Sequence, residues 1–327
     1  MPSPRLTVKC YAKINLGLRV LGKRADGYHE LRTVFQTVAL HDLLEVRLEK
    51  GSGVALECDA AELGGSDNLA VRAAAAMVEE LHLRQRVHLI LRKRIPWGAG
   101  LGGGSSDAAA ALRAVAQLSG KRVPLDRLLK LAAGLGADVP FFLLGGTALG
   151  LGRGTEVYAL PDFPRRQVVL AFPGVAVNTA AAYADLDRAG TEPRPYRSAQ
   201  GVVRRGGPPR PPSVQEGSLT GPSETDKIFS FCASVWGRQG SRLKNDFETV
   251  VFSAYPQVAR LKRLLTRAGA SPALLSGSGS AVYGLFDSRT RADRAVESVK
   301  ARHPEWSVWV SRTVSRSENE KQWKPIA

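Results

Sequence analysis

A cluster of glycines constrains the fold of this chain more than any other feature. Five of the seven residues from 98 to 104 are glycine. Before them, residues 87–92 alternate in the manner of a strand, and after them apolar residues follow at helical spacing between residues 108 and 115. Glycine is favoured where the backbone needs a positive φ angle or must approach another group closely. The segment is therefore predicted to be a strand, a tight loop and a helix.

Such a unit favours the binding of a phosphate group. Free backbone N–H groups of the loop point to one spot, and the helix dipole adds partial positive charge there. Ser105 and Ser106 are suitable N-cap residues for the helix, and Gly120 is a suitable C-cap. A Walker loop would need a lysine after its last glycine, and no first Rossmann strand precedes the loop. From this stretch alone, a flexible turn and a phosphate loop of another kind both stay open.

Composition bounds the class of protein. The 327 residues are 44% hydrophobic and 23% charged, which is typical of a soluble globular protein and long enough for two domains. No apolar run approaches the roughly 20 residues of a membrane span, and the strand pattern near the N-terminus leaves no room for a signal peptide, so we expect a cytoplasmic protein. Cys10, Cys58 and Cys232 form no C-x-x-C pair and the histidines show no ligand spacing, so neither a disulfide framework nor a zinc site is indicated. Any metal would be held by oxygen ligands and a substrate phosphate.

The formal net charge of +16 favours anionic partners. The basic residues are scattered, without the interleaved aromatics of an RNA-binding sheet. We therefore expect an arginine-rich solvated surface, small-molecule substrates, no specific nucleic-acid partner and no membrane partner, in a monomer or weak homodimer. Nucleic-acid binding stays a rival interpretation, and it predicts a steep loss of affinity with salt.

Local patterns predict the elements of the first half. Strict alternation from residue 6 to residue 20 predicts one long strand, or two strands joined by a bend, with one buried face, and it places Lys13 and Asn15 together on the other face. A turn in residues 25–31, centred on Asp26 and Gly27, places Tyr28 and His29 just past it. A second strand is expected near residues 44–48, and Asp67 is the expected N-cap of a helix. A later helix is expected to end near residues 134–136. Val139 is expected to be extended because Pro140 follows it.

In the second half, a break at residues 161–166 is interpreted as a domain boundary. Residues 191–226 are rich in Pro, Gly, Arg and Ser without periodicity and are predicted to be a disordered insertion. The tail from residue 315 is charged and is predicted to be loose. The expected elements are a strand at 168–172, helices at 179–188, 245–253, 257–268 and 291–302, a strand broken at 276–280, and a last strand at 306–310.

Several separated motifs agree with one another. They are AKINLGL (residues 12–18), RADGYHEL (24–31), DNL (67–69), PWGAGLGGGSSDAAA (96–110), GADVPFF (136–142), NDFE (245–248) and LSGSGS (275–280). Together they resemble the GHMP kinase superfamily, in the right order and over nearly the whole chain. The resemblance implies an α+β protein with the two-domain GHMP kinase fold. An ATP-binding domain of the ribosomal protein S5 domain 2-like type would occupy residues 1–160, a ferredoxin-like domain residues 161–314, and the loose tail residues 315–327.

Within the superfamily, the AKIN, GYH and GADVP motifs are similar to those of members that act on 4-diphosphocytidyl-2-C-methyl-D-erythritol. The resemblance implies an ATP-dependent kinase, with Mg²⁺, that phosphorylates the 2-hydroxyl of this substrate in the non-mevalonate isoprenoid pathway. Asp138 matches the catalytic aspartate, which would accept or orient the hydroxyl proton. Lys13 matches the catalytic lysine, which would neutralise charge on Asp138 or on the phosphoryl group and keep the carboxylate ionised.

The resemblance also implies two binding regions. Trp97 departs from the small or unbranched residue expected after the proline. Asp107 is interpreted only as a charge near the N-terminus of a helix. The residues implied in ATP binding are Asn68, Lys93, Pro96, Trp97, Gly98, Ala99, Gly100, Leu101, Gly102, Gly103, Gly104, Ser105 and Ser106. The residues implied in binding the cytidine diphosphate substrate are Asn15, Tyr28, His29, Phe35 and Tyr183.

Two rival functions stay open at this point. One is another GHMP small-molecule kinase, such as a homoserine or mevalonate kinase, and the expected cytidine contacts of Tyr28 and His29 count against it. The other is a catalytically silent, nucleotide-binding regulatory protein, because a fold can persist after its chemistry is lost. The presence of both Lys13 and Asp138 counts against this second rival.

Overall fold

The computed structural model describes residues 4–189, 223–236 and 243–323. Their elements form two sheets flanked by helices, which confirms the predicted α+β class. The strands of the first sheet are β1 (Arg5–Lys23), β2 (His29–Glu49), β3 (Val54–Cys58), β4 (Arg86–Arg92), β5 (Thr147–Gly152) and β6 (Glu156–Ala159). The strands of the second sheet are β7 (Gln167–Phe172), β8 (Ala273–Leu275), β9 (Val282–Phe286) and β10 (Ser307–Arg312).

Four helices accompany the first sheet and six follow β6 in the chain. The first four are α1 (Leu69–Glu80), α2 (Gly103–Leu118), α3 (Leu125–Leu135) and α4 (Val139–Leu144). The others are α5 (Thr179–Arg188), α6 (Glu224–Trp236), α7 (Glu248–Ala254), α8 (Pro256–Arg267), α9 (Arg289–Arg302) and α10 (Arg316–Lys321). In the part of the chain that the structure describes, no helix combines the length and the apolar character needed to cross a membrane.

The strand β2 is the centre of the first sheet. One edge of β2 pairs antiparallel with β1, and the other edge pairs with β4 at residues 43–49 and with β5 at residues 31–36. The alternating pattern correctly predicts β1, but the strand is buried on both faces at residues 10–18. Helices α1 and α2 cover it near Cys10, and the second sheet covers it at Ala12, Ile14 and Leu16. Moreover, β2 begins at His29, well before the predicted strand near residues 44–48.

The two sheets share a core. Apolar side chains of β1 pack with Leu170, Leu274 and Tyr283 of the second sheet. The Tyr283 hydroxyl donates a hydrogen bond to the backbone oxygen of Asn15 at 2.8 Å. The second sheet has the order β10-β7-β9-β8 and is antiparallel throughout. This shared core fixes β7 and β9 against β1, and the domain boundary between residues 160 and 161 stays a prediction.

The predictions made from local helix signals were wrong at three points. Asn68, not Asp67, caps α1, because the Asn68 side chain accepts a hydrogen bond from the Ala70 N–H at 2.9 Å. Helix α2 begins at Gly103 after a left-handed Gly102, so Ser105 and Ser106 lie inside its first turn and are not N-caps. Val139 is helical, not extended, because α4 begins there and Pro140 lies in its first turn, where no backbone donor is needed.

Two predictions of disorder also need correction. Residues 224–226 of the predicted insertion are the start of α6, a helix that the sequence analysis missed, and residues 191–222 lie outside the described residues. The tail from residue 315 is not loose over the described positions 315–323. It forms α10, the Arg316 guanidinium donates to the Thr147 oxygen at 2.7 Å, and the Trp323 ring lies 4.6 Å from the Arg113 guanidinium. Charge alone misled the prediction, because these side chains find partners that are distant in sequence.

Candidate active site

A cavity of about 780 Å³ lies where β1, β2, the glycine loop and α5 meet. Half of the residues implied by the resemblance line it, so the fold brings together groups from both halves of the chain. Those that line it are Lys13, Asn15, Tyr28, His29, Phe35, Gly100, Gly102, Ser105, Asp138 and Tyr183. Those that do not are Asn68, Lys93, Pro96, Trp97, Gly98, Ala99, Leu101, Gly103, Gly104 and Ser106.

Lys13 and Asp138 form an ion pair in the wall of the cavity. The Lys13 Nζ lies 3.5 Å from Asp138 Oδ2, and the lysine is only 3% exposed. Asp138 precedes α4 without capping that helix through its side chain, so its carboxylate is available to Lys13. The Phe35 ring lies 5.8 Å from the ammonium and covers it on one side. A buried ammonium beside one partly exposed carboxylate provides the charged pair that phosphoryl transfer needs.

Asn15 holds the lysine in this position. Its Oδ1 accepts hydrogen bonds from Lys13 Nζ at 2.8 Å and from the Gly277 N–H at 2.8 Å, and its Nδ2 donates to Thr33 Oγ1 at 2.8 Å. Asn15 is 1% exposed. In the structure its amide therefore orients Lys13 and ties the turn at Gly277 to β1. A hydrogen bond from Asn15 to the substrate stays a prediction.

The glycine loop approaches other backbone segments too closely for larger residues. Gly98, Gly100 and Gly102 have φ angles of 68°, 77° and 73°. A Cβ atom at Gly100 would lie 2.1 Å from the Ser276 oxygen. The Ser276 hydroxyl in turn donates to the Gly100 oxygen at 2.9 Å. The glycine turn at residues 276–280 thus packs directly on the glycine loop.

The glycine loop positions the N-terminus of α2 at the cavity. The Lys13 N–H donates to the Leu101 oxygen at 2.9 Å, which fixes the loop beside Lys13. Gly102 and Ser105, at the start of the helix, line the cavity. The first backbone N–H groups of a helix have no partner within it, and the helix dipole is positive at this end. This end of the cavity is suited to bind phosphate groups.

Aromatic side chains line the opposite end of the cavity. The His29 and Tyr183 rings stack with centroids 4.5 Å apart, and Tyr183 packs edge-on against Phe247. Burial, together with the charge of Asp138, raises the pKa of Tyr183. Tyr28 is 52% exposed, and its ring lies 3.6 Å from the guanidinium of Arg153. These flat and partly exposed rings are suited to stack with a planar base.

Sequence reasoning missed three charged residues that line this end. Asp187 accepts a hydrogen bond from His29 Nε2 at 2.8 Å and lies 3.6 Å from Lys23 Nζ. The hydrogen bond with His29 holds the pKa of Asp187 below its usual value. Its spacing of four residues from Tyr183 on α5 is a signal that would have placed both on one helix face. Arg153 follows a glycine-rich strand end, and no sequence signal distinguished it.

Lys93 and Asn68 have structural partners. Lys93 Nζ lies between two buried carboxylates, 2.5 Å from Asp42 Oδ2 and 2.7 Å from Asp107 Oδ2. Burial alone would lower the pKa of Lys93, but the charges of Asp107 and Asp42 raise it. Burial raises the pKa of Asp107, although Lys93 opposes this shift. Asn68 caps α1 and also donates to the Leu63 oxygen at 2.8 Å. Their contacts with adenosine stay predictions.

Three charged residues hold the glycine loop in place without lining the cavity. We call Asp42, Lys93 and Asp107 the buried triad. Asp42 Oδ1 accepts hydrogen bonds from the backbone N–H groups of Arg94 and Ile95, just before the loop. Asp107 is the fifth residue of α2, just past its first turn, so it is not a charge at the helix N-terminus. The triad therefore fixes both ends of the loop to β2. Trp97, between these ends, is 57% exposed and does not line the cavity.

The described residues contain no cluster of three or more His, Cys, Asp or Glu side chains that could hold a metal ion. Asp138 and Asp187 are the carboxylates that line the cavity. A divalent cation at this site would need most of its ligands from phosphate oxygens and water, which is the usual arrangement for Mg²⁺ with nucleotides.

Comparison with known proteins agrees with this geometry. The family model "GHMP kinases N terminal domain" matches residues 68–146 and "GHMP kinases C terminal" matches residues 231–305. The 4-diphosphocytidyl-2-C-methyl-D-erythritol kinase of Solibacter usitatus is 47% identical over 89% of this chain and 84% of that protein. The same enzyme of Geobacter sulfurreducens is 37% identical over 95% of this chain and 99% of that protein.

Solved structures show the same relationship. A crystal structure of 4-(cytidine 5'-diphospho)-2C-methyl-D-erythritol kinase matches with a TM-score of 0.71 and 33% identity, over 94% of this chain and 99% of that one. Homoserine kinase from Cytophaga hutchinsonii matches with a TM-score of 0.68 at 20% identity, over 97% of each chain, a likeness of fold alone. The chain belongs to the GHMP kinases and, within them, to the family of 4-diphosphocytidyl-2-C-methyl-D-erythritol kinases.

Proposed function

We propose that this protein transfers the γ-phosphate of ATP to the 2-hydroxyl of 4-diphosphocytidyl-2-C-methyl-D-erythritol, a step of the non-mevalonate isoprenoid pathway. One observation carries the proposal. The Lys13–Asp138 pair lies in a single cavity between the helix N-terminus of the glycine loop and the stacked rings of His29 and Tyr183. A phosphate donor at one end and a base-carrying acceptor at the other would meet at this pair.

The chemistry asks mainly for positioning and for stabilisation of charge. Asp138 would accept or orient the proton of the attacking hydroxyl. Lys13, held by Asn15 and Asp138, would stabilise the negative charge that develops on the phosphoryl oxygens. Because Lys13 is buried, its electrostatic effect on the reacting atoms is screened less than it would be in water.

The acceptor would bind at the aromatic end. Its cytosine ring would stack with Tyr28, His29, Phe35 or Tyr183, and Arg153 is placed beside Tyr28 to meet the diphosphate. The Nε atom of Arg153 is buried and has no hydrogen-bond partner among the described residues. An arginine with an unused donor is well suited to a phosphate group.

Mg²⁺ would accompany ATP. Ser105 and Asp138 line the cavity and carry oxygen ligands, so these residues would hold the ion together with phosphate oxygens and water. When bound, Mg²⁺ neutralises charge on the β- and γ-phosphates. We further propose that the enzyme works in the cytoplasm as a monomer or weak homodimer, without a specific nucleic-acid or membrane partner. Size-exclusion chromatography with light scattering would test the oligomeric state.

Release of ADP from Mg·ATP by the purified protein tests the function, with diphosphocytidyl methylerythritol, homoserine and mevalonate offered in parallel. We expect turnover with the first acceptor only. Turnover with homoserine or mevalonate instead would identify another GHMP kinase. Silence with all three acceptors, together with measurable ATP binding, would place the protein in the regulatory class.

Asp138→Asn tests the catalytic pair. We expect kcat to fall by about 10² to 10⁴, the usual range for loss of a general base, while ATP affinity changes little. Asp126→Asn is a matched control, because the Asp126 side chain is 74% exposed and pairs only loosely with Lys130. If Asp138→Asn turns over as fast as this control, Asp138 has no catalytic role.

A further inference from the structure

A second cavity, of about 270 Å³, lies at the junction of the two sheets, and we call it the junction cavity. Its walls come from the middle of β2, the segment after β4, the start of β7 and α9, and the strand β10. We call the cavity of the candidate active site the catalytic cavity. The two cavities share no lining residue among the described residues. Junctions between two packed units are common places for ligand sites.

The polar lining of the junction cavity is basic. Arg94, Arg289, Arg312 and His41 line it, and no Asp or Glu does. Arg312 is paired with Glu318, and Arg289 Nε donates to Asp293 at 2.9 Å. Across residues 4–189, 223–236 and 243–323, the guanidinium of Arg94 has no hydrogen-bond or ion-pair partner. Arg94 is exposed to solvent, and no acidic side chain of the described residues pairs with it.

Further unused donors line the same space. Within the described part of the chain, neither the indole N–H of Trp309 nor the side-chain amide of Gln167 has a hydrogen-bond partner. The imidazole of His41 bonds to the Ala39 oxygen through Nδ1 at 2.8 Å. Burial is the main cause that lowers the pKa of His41; the hydrogen bond with Ala39 opposes the shift, and the charges of Lys9 and Arg94 add to it. The cavity thus combines the guanidinium of Arg94 with the N–H groups of Trp309 and Gln167, which have no partner among the described residues.

The remaining lining is apolar. The Trp309 ring, Leu40 and Val310 form this side of the cavity. Its volume is below the roughly 300 to 1,000 Å³ of sites for drug-sized ligands, so the cavity favours a smaller metabolite over a nucleotide or a macromolecule. Arginine recognises phosphate oxygens by paired hydrogen bonds, and an indole stacks with flat apolar groups.

We infer that the junction cavity is a second, non-catalytic binding site for a phosphate monoester that carries a small apolar or aromatic group. The phosphate lies against Arg94 with support from Arg289 and Gln167, and the organic group lies against Trp309. This site does not depend on the proposed kinase reaction, so its test uses binding and not turnover.

Phenyl phosphate is the probe for this site. The protein is first saturated with CDP and ADP, so that the catalytic cavity is filled, and phenyl phosphate is then titrated by calorimetry. We expect one further site per chain. The ring signals of His41 in NMR should shift on binding, and those of His29 in the catalytic cavity should not. A failure to bind, or a shift of His29 alone, would overturn the inference.

Matched variants locate the site. Arg94→Gln should weaken phenyl phosphate binding about tenfold, the usual cost of one hydrogen-bonded charge. Arg263→Gln changes the net charge equally at an exposed position of α8 and should leave binding unchanged. Equal weakening by both variants would show diffuse attraction to a basic surface and would overturn the inference.

Trp309→Ala tests the organic half of the ligand. The wild-type protein should bind phenyl phosphate more tightly than inorganic phosphate, and this preference should disappear in Trp309→Ala. Unfolding midpoints of all variants are compared with the wild type, so that a folding defect is recognised. If the wild-type protein binds both probes equally well, the site is one for inorganic phosphate and the assignment of an organic phosphate is overturned.

Discussion

Replacing Lys93 by Met should destabilise the fold far more than it affects nucleotide binding. The ammonium lies between the buried carboxylates of Asp42, 0% exposed, and Asp107, 1% exposed. Removing one partner of a buried ion pair costs about 3–5 kcal/mol. In the variant, one of the two carboxylates could become protonated instead of staying charged. For a carboxyl group of ordinary pKa, protonation at pH 7 costs about 4 kcal/mol, so it would not reduce the loss of stability. We therefore expect Lys93→Met to lose about 4 kcal/mol of unfolding free energy.

Urea unfolding at pH 7 measures this loss. Lys130→Met is the matched control, because the Lys130 side chain is 72% exposed and its loss should cost less than about 1 kcal/mol. Adding Asp107→Asn to Lys93→Met should restore part of the lost stability, because it removes one of the two uncompensated carboxylates. The Michaelis constant for ATP is measured on the folded fraction. A loss below 1 kcal/mol combined with a raised Michaelis constant for ATP would refute the structural role and favour the adenosine contact that the sequence predicted.

Two further changes test the loop and the buried triad. Gly100→Ala should lower stability and kcat, because its Cβ would lie 2.1 Å from the Ser276 oxygen. Gly174→Ala shares the φ of 77° but meets nothing within 4 Å, so a Gly100→Ala variant no less stable than this control would contradict the packing argument. Asp107→Asn should alter how stability depends on pH. The pKa of Asp107 is raised in the folded state. The contribution of this shift to the free energy of unfolding is therefore fully present below the ordinary aspartate pKa and is lost as the pH rises. We therefore expect Asp107→Asn to become more stable relative to the wild type between pH 5 and pH 8, as measured by urea unfolding. A difference in stability that is the same at both pH values would show that Asp107 does not titrate in this range.

Elements governed by local spacing were predictable from the sequence. Helix α5 has the predicted bounds, Thr179–Arg188, and alternation alone predicts most of β1. The glycine cluster correctly predicted a strand, a loop with positive φ angles and a helix. These features depend on the conformational preferences of a few neighbouring residues, and such preferences can be read along the chain.

The pairing of Lys13 with Asp138 could not be predicted from residue spacing. Lys13 follows the pattern of a solvent-facing residue on β1, and periodicity gave no sign that it is buried beside Asp138. Motif resemblance implied both residues, because a family motif carries information about distant contacts that periodicity lacks. The same resemblance did not reveal Asp187 or Arg153, which line the cavity as well.

Only the tertiary structure decided which charged groups are partners. Lys93 reads as one of several exposed basic residues, yet its ammonium binds Asp42, 51 positions earlier in the chain. The tail after residue 315 reads as solvated, yet Arg316 bonds to Thr147 and Trp323 packs against Arg113. A sequence determines helices and strands through contacts between near neighbours. Burial and pairing of charges depend on where those elements pack, so the same residue type is solvent-exposed in one place and part of a buried network in another.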